Sequence, residues 1–569
     1  MMKKLLGCLL ACSVSLSLSA AQHVIRIAPD EGDMTAKIQA AIEKARSSNG
    51  RSVVIELADA DYALYRESAS AQVYHVSNTT SETENPDPTK HIGLWLKNLR
   101  NVTIEGNGAR LVTHGEMTAF AIDSCENITL RNFTVAAADP TVPEMTVTEV
   151  GERHMNVRIH PLSRYEIDAA GQFAFVGHGW KLSGGIAQIY DPERDITWRS
   201  WSPFSGLRQA TELEPGLLRL DYDTRPQVEN GQVFQMRDGI RDEVCGLIQY
   251  SKDITLEQLH LAFLGNFGIV GQMSENLTYR HLTFEPEPGS GRTCAGFADF
   301  VQMSGCKGEI RIEYSRFSGA HDDPINIHGT HLAVRQFTAP DQVLVQYMHP
   351  QTYGFQSFFP GNEIEFIDAH TLLPVAACKV RQAEMKNDRE ILITLARPVG
   401  QDFRDKSELV VENTTYTPEV VIRGNYFSRV PTRGILVTTR RRVLIENNTF
   451  FRTRMSGILI ADDARSWFES GMARDVTIRG NRFVECASPA ILIAPENDRN
   501  GGYVHRNIRI ENNRFRLSDA GAAVSAKSVG GLQIRGNLFS TPQNTSIDRL
   551  IRTEACDGIT IEDNRIEHR

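Results

Sequence analysis

A short phrase recurs along this chain and limits what it can fold into. A polar pair leads into an alternating apolar–polar–apolar strand, followed by a turn carrying Asn and then a Phe. Copies include Glu126-Asn127-Ile128-Thr129-Leu130-Arg131-Asn132-Phe133, Val443-Leu444-Ile445-Glu446-Asn447-Asn448-Thr449-Phe450 and Val476-Thr477-Ile478-Arg479-Gly480-Asn481-Arg482-Phe483. Measured at the last apolar residue of each strand, Ile422 to Ile445 is 23 residues, Ile510 to Ile534 is 24, and Ile445 to Ile478 is 33. Periods in this range mark stacked repeats, each burying its apolar face on its neighbours. The copies alternate with period two and contain no helical stretch, which excludes leucine-rich and helical solenoids. Second strands lie between them, such as Ile435-Leu436-Val437, Ile458-Leu459-Ile460 and Ile491-Leu492-Ile493. A coil of two or three short strands with a minimum near 23 residues is a turn of a parallel β-helix, right-handed by the general rule for parallel crossovers. The 33-residue coils carry a loop. Asn tolerates the left-handed turn conformation and can stack on the Asn of the next coil.

The same reading divides the 569 residues. Residues 1–21 have the form of a signal peptide: Lys3 and Lys4, an apolar stretch from Leu5 to Leu18, and Ser19-Ala20-Ala21 before the cleavage point. Leu9-Leu10-Ala11-Cys12 also resembles a lipobox, so export to the periplasm or anchoring at the cell surface through Cys12 are both open. Residues 22–139 hold a cap and the first coils. In the cap, Ile38, Ala41, Ile42 and Ala45 fall on one helical face behind Asp33 or Thr35 as N-cap. A helix there would cover the open end of the solenoid. Residues 140–239 and 333–415 break the repeat but still alternate, as in Met155-Asn156-Val157-Arg158-Ile159 and Ile391-Leu392-Ile393-Thr394-Leu395. They are expected to form two β-barrel-like insertions, since unstructured loops of that length are uncommon. Residues 240–332 and 416–569 are further coils. The fold class is therefore all-β.

Formal charge is −9, and loss of Lys3 and Lys4 with the leader would leave −11. A mildly acidic chain without a basic stripe is a poor nucleic-acid binder and has little grip on anionic polysaccharide. No later run of about 18 apolar residues offers a membrane span. The seven cysteines beyond the leader lack CxxC spacing, so no zinc site is expected. Cys294 and Cys306 are the one close pair; buried free thiols are the alternative.

Stacking turns sequence into columns. Asn266 to Asp299 is 33 residues, Asp299 to Asp322 is 23, and Asp323 to Arg433 is 110, the same as Ile312 to Ile422. These counts predict Asn266, Asp299 and Asp322 in one column, with Arg433 stacked beside Asp323, on coils about 4.8 Å apart. Glycoside hydrolysis needs one protonated carboxyl to supply the leaving-group proton and one carboxylate to activate water or attack. Crowded carboxylates cannot all ionise, so one pKa rises. Asp322-Asp323-Pro324 could alternatively be a plain turn; Pro324 would supply the bend that lets both aspartates point outward. Asn326 and His328 are candidate sugar ligands beside them. Asp462 and Glu496 follow strands on later coils and either line the groove or sit in solvated turns. Trp467 is a candidate sugar platform.

The run Ser318-Gly319-Ala320-His321-Asp322-Asp323, with Asp299 a coil earlier, resembles the catalytic arrangement of polygalacturonases, which are pectin-lyase-like solenoids. Their Asn-Thr-Asp and Arg-Ile-Lys motifs are missing here. The chain is more similar to glycoside hydrolase family 110, bacterial α-1,3-galactosidases acting on blood group B-type glycans. That resemblance covers nearly the whole mature chain, including His75-Val76-Ser77-Asn78-Thr79-Thr80, His91-Ile92-Gly93-Leu94-Trp95-Leu96 and His321-Asp322-Asp323-Pro324-Ile325-Asn326-Ile327-His328-Gly329. It implies exo-acting, inverting hydrolysis of α-galactosyl oligosaccharides or glycoconjugates without metal or other cofactor. Asp299 would be the general acid, and Asp322 and Asp323 the pair that activates water. A β-helix polysaccharide lyase, whose acidic column would hold calcium, and a non-catalytic glycan-binding solenoid are the competing readings. Calcium-dependent cleavage would mark the first; indifference to Asp299→Asn would mark the second.

Overall fold

The computed structural model describes residues 23–48, 50–406 and 408–568. The leader and Cys12 lie outside the described residues. Alternating side chains put the β-branched and aromatic residues of each coil inward, and the coils stack as a parallel β-helix. Ile422, Ile445, Ile478, Ile510, Ile534 and Ile561 pair in unbroken register. Inside the following turn, Phe317, Phe427, Phe450, Phe483 and Phe515 stack with ring centroids 4.8–5.0 Å apart.

The turn Asn is structural. Nδ2 of Asn425 donates to Oδ1 of Asn448 at 3.0 Å, and the pattern continues through Asn481, Asn513, Asn537 and Asn564. Each Nδ2 also reaches a main-chain carbonyl at the preceding strand, as from Asn481 to Ile445 at 2.9 Å. The ladder satisfies buried turn groups that no sheet can reach.

One large parallel sheet takes two legs of every coil. A second, almost wholly parallel sheet takes the third leg, running through Gly246–Gln249, Ile269–Gln272, Val301–Ser304, Ile325–Thr330, Ile435–Val437, Ile458–Ile460 and Ile491–Ile493. The functional residues lie along this sheet. At the N-terminus, the helix Thr35–Arg46 buries Ile38, Ala41, Ile42 and Ala45 against the first-coil core. Asp33 sits one position before the N-cap Met34, and its Oδ1 accepts the Thr35 N–H at 2.9 Å.

Both insertions leave and rejoin the solenoid without disturbing register: Leu130 pairs with Leu256 and Ile312 with Ile422. The second is a closed six-stranded antiparallel barrel, from Leu332–Ala339 to Leu409–Asn413. The first does not close by hydrogen bonds. Its seven-stranded antiparallel sheet has free edges at Ile196–Ser200 and Leu207–Glu214, and a three-stranded sheet from Tyr165–Ile167 to Trp180–Leu182 packs over the same core. All seven described cysteines are free thiols, six of them buried, so Cys294 and Cys306 form no bridge. Cys306 lies in the solenoid interior and Cys294 in a separate apolar cluster outside it.

Candidate active site

Three successive coils turn the same corner just before entering the second sheet, and each corner carries a charged residue. Val301 pairs with Ile325, and Ile325 with Ile435. Two residues upstream of each lie Asp299, Asp323 and Arg433, which therefore form the column. This corrects the count of 23 that put Asp322 above Asp299. Residue counts differ around a coil: 33 separates Leu277 from Ile310 on one leg, but 32 separates Ile269 from Val301 on the other. The same one-residue slip removes Asn266 from the column. It is buried on the other side of the corner, donating from Nδ2 to Glu116 Oε1 at 2.7 Å, and does not reach the cleft.

The corner is tight. Gly319 has φ +79°, and a Cβ there would stand 2.7 Å from the Thr293 carbonyl oxygen, so the entry to Asp322-Asp323-Pro324 requires glycine. Asp322, Asp323 and Asp299 then line one cleft of about 580 Å³, with Asn326, Arg433 and Glu496 from the sequence-predicted set. The first insertion supplies Arg199 and Arg237 to the same wall, Asn78 comes from the first coils, and Asp463, Trp467 and Glu469 come from a later loop.

The three aspartates differ in environment. Asp323 is buried and accepts from the Arg433 main-chain N–H at 3.0 Å, Nε at 3.0 Å and Nη2 at 2.6 Å. Burial pushes its carboxyl up and Arg433 pulls it back. Burial and the Asp322 charge leave it above the ordinary carboxylate value, while the three Arg433 donors favour its ionised form. Burial disfavours the Arg433 cation, but Asp323 overrides that and raises its pKa. Asp322 is the more open of the pair, with one oxygen 3.1 Å from Arg199 Nη2. Asp299 is 6% exposed and makes no ion pair, although the Arg241 charge in the same cleft opposes its neutral form; its one hydrogen bond is a long one, 3.5 Å, from Asn326 Nδ2. Burial first, then the charges of Asp322 and Asp323, push its pKa well above the carboxylate range. Of the three carboxyls, Asp299 is therefore the one whose surroundings most favour the protonated form.

Arg237 is 3% exposed, and its Nε has no hydrogen-bond partner. Burial lowers its pKa to about 10, opposed by Asp322. Its guanidinium lies over the Phe297 ring, 5.1 Å from the centroid, in the wall of the cleft. His321 is buried behind it; burial and the Arg237 and Arg199 charges push its pKa well down, so its ring is neutral.

Two candidates lie one layer back. Asp462 is fully enclosed and paired with His331 Nε2 at 3.0 Å, while the adjacent Asp463 lines the cleft. Successive residues point to opposite sides, and the loop after Ile458–Ile460 turns Asp463 outward. Its carboxylate accepts from the main-chain N–H groups of Arg465, Ser466, Trp467 and Phe468, fixing the loop that presents Trp467. His328 is buried, with Nε2 3.4 Å from Glu469 Oε1, and supports the wall from behind. Trp467 stacks on His349 with centroids 4.6 Å apart and lines the cleft.

Comparison with known proteins follows the same three-part architecture. Family models described as GLAA-B beta-barrel domain I, GLAA-B beta-barrel domain II and right handed beta helix region match residues 143–234, 342–406 and 406–539. An alpha-1,3-galactosidase A of Bacteroides thetaiotaomicron is 48% identical over 97% of this chain and 98% of its own length. The chain belongs to the α-1,3-galactosidase family. Its similarity extends to an alpha-1,3-galactosidase A of Streptomyces avermitilis, 39% identical over 89% of this chain and 84% of that protein. An alpha-1,3-galactosidase B of Bacteroides thetaiotaomicron is 32% identical over 99% and 94%. Arg199, Arg237, Arg241 and Glu469 are charged cleft residues that the repeat pattern did not flag. No periodic signal marks them, because insertion and loop packing bring them in. Among the described residues, no helix is long and apolar enough to cross a membrane.

Proposed function

We propose that this chain is an exo-acting, inverting α-galactosidase that removes terminal α-1,3-linked galactose from blood group B-type glycans and from linear α-galactosyl chains. The observation that carries the reading is the contrast at one corner: a buried, unpaired Asp299 beside an Arg433-pinned Asp323 and an open Asp322. In this reading Asp299 donates its proton to the glycosidic oxygen as the bond to the anomeric carbon breaks. Asp322 takes a proton from the water that attacks the opposite face of that carbon. Asp323, already bound by three donors, keeps its charge beside the developing oxocarbenium ion. Atoms balance as one water consumed, one galactose and one shortened glycan released. The leader sequence supports export, to the periplasm or to the surface through Cys12.

Proton NMR of fresh digests tests this, using α-1,3-galactosylgalactose and the fucosylated B trisaccharide. Early β-galactose, absent with Asp299→Asn, is the expected result. Early α-galactose would overturn inversion, and release from one substrate alone would set the substrate range.

A further inference from the structure

Glu469 is a cleft carboxylate that the hydrolytic chemistry above does not use. It lies in the short strand Glu469–Ser470, which pairs antiparallel with Gly329–Thr330 at the end of the strand that follows Asp322-Asp323. The backbone thus ties Glu469 to the coil that bears the reacting carboxylates. Its Oε1 accepts from Asn78 Nδ2 at 3.0 Å and Asn326 Nδ2 at 3.3 Å, with His328 Nε2 at 3.4 Å. Its Oε2 accepts no hydrogen bond from the described residues, and Glu469 lines the cleft.

Two further observations point the free oxygen at a sugar. Asn326 Nδ2 stands between Asp299 Oδ2 at 3.5 Å and Glu469 Oε1 at 3.3 Å, so Glu469 lies a single amide away from the proposed acid. A pyranose with its anomeric carbon at Asp299 spans that distance with its own ring. Two residues earlier, Trp467 is 43% exposed with one face taken by His349, offering the apolar face of a sugar a flat partner on the same segment. The other cleft carboxylate of this loop, Asp463, is saturated by four main-chain N–H groups.

Resting on the reading that a terminal galactosyl residue is cleaved here, we propose that Glu469 is a specificity-determining residue: its Oε2 accepts a hydrogen bond from one ring hydroxyl of that galactosyl residue. A fixed acceptor discriminates strongly, because a substrate lacking the hydroxyl leaves Oε2 desolvated and unpaired.

The test is a cycle between residue and hydroxyl. Initial rates of the wild type, Glu469→Gln and Glu469→Ala are measured on α-1,3-galactosylgalactose and its four monodeoxy analogues in the terminal residue. Circular dichroism of both variants establishes folding. The wild type is expected to lose about 10²–10³-fold in kcat/KM on one analogue. Glu469→Ala is expected to lose a similar factor on the parent sugar and to cleave that one analogue no more slowly than the parent. On the other three analogues the losses multiply. Losses that multiply on all four, or a Glu469→Ala variant as fast as the wild type on the parent, overturn the assignment while leaving the hydrolytic reading intact. Failure of the wild type to release galactose from the parent overturns both.

Discussion

Replacing Asp299 by Asn keeps the shape of the side chain and removes the proton that the proposed general acid would donate. Asp299 makes no ion pair and has a single 3.5 Å contact, so the amide breaks no strong bond. What it removes is general acid catalysis, worth about 10²–10⁴-fold, or roughly 2.7–5.4 kcal/mol of barrier. That loss should depend on the leaving group. On α-1,3-galactosylgalactose the departing alkoxide needs the proton and the full factor should appear. On α-galactosyl fluoride, whose fluoride leaves without protonation, the variant should lose no more than about tenfold. The pH profile makes a second cut. Burial and the neighbouring carboxylate charges raise the Asp299 pKa, so wild-type activity falls as pH climbs through that raised value. Asn cannot titrate, and this alkaline limb should vanish.

Stability supplies an independent sign. A carboxyl whose pKa is raised by folding favours the folded state fully only below its unfolded pKa, and that contribution is lost as pH rises through the folded value. The wild type should therefore lose melting temperature relative to Asp299→Asn as pH rises from about 4. Equal losses on both substrates, together with an intact alkaline limb, would refute Asp299 as the acid.

Other perturbations separate the remaining roles. Arg433→Met strands a buried carboxylate and should cost about 3–5 kcal/mol by denaturant titration; Asp323→Leu with Arg433→Met should regain much of that stability but no activity. Arg237→Met should do the opposite, raising melting temperature by removing a buried cation that makes no ion pair while lowering kcat/KM about 10–100-fold. Asn481→Ala breaks the turn ladder, leaving the Asn448 main-chain N–H without its acceptor and Asn448 Nδ2 without one of its two, and should cost about 3–5 kcal/mol with KM unchanged. Exhaustive dialysis against a chelator should leave the rate unchanged, since Arg199 and Arg433 already neutralise Asp322 and Asp323; loss restored by calcium would favour lyase chemistry.

What was legible in the sequence follows from what repeats. Ile422, Ile445 and Ile478 announce the solenoid because each sits in the same pocket of the coil below, and the Asn and Phe ladders repeat for the same reason. Asp323 and Arg433 were legible because they share the 110-residue offset of the strands beside them. The register of Asp299 was misread by one residue because the offset changes between legs wherever a corner absorbs or releases a residue. Arg199, Arg237 and Glu469 belong to no column, and a single sequence carries no periodic trace of a wall built by an insertion.

Those unperiodic residues matter for how the site works. A bare parallel β-helix presents a long open groove, suited to a polymer bound along many coils. Here the first insertion lays Ile186, Arg199 and Arg237 against one side of the aspartate corner, and the segment from Asp463 to Glu469 closes another. Asn78 bridges the two ends, joined to Glu469 through Nδ2 and to Thr352 of the second insertion through Oδ1. The first insertion, the first coils and the loop from Asp463 to Glu469 thereby wall one cleft of about 580 Å³, braced from behind by Thr352 of the second insertion. Walls on several sides of the aspartate corner suit the proposed exo-acting reading, in which a chain end enters and a chain middle does not. Thr352→Ala tests this independently of the chemistry. It removes the hydroxyl that donates to Asn78 Oδ1 and accepts from the Asn78 main-chain N–H, and should raise KM for the chain end by up to about 30-fold while kcat holds within twofold, because two neutral hydrogen bonds of about 1 kcal/mol each support the wall and neither reaches the reacting atoms.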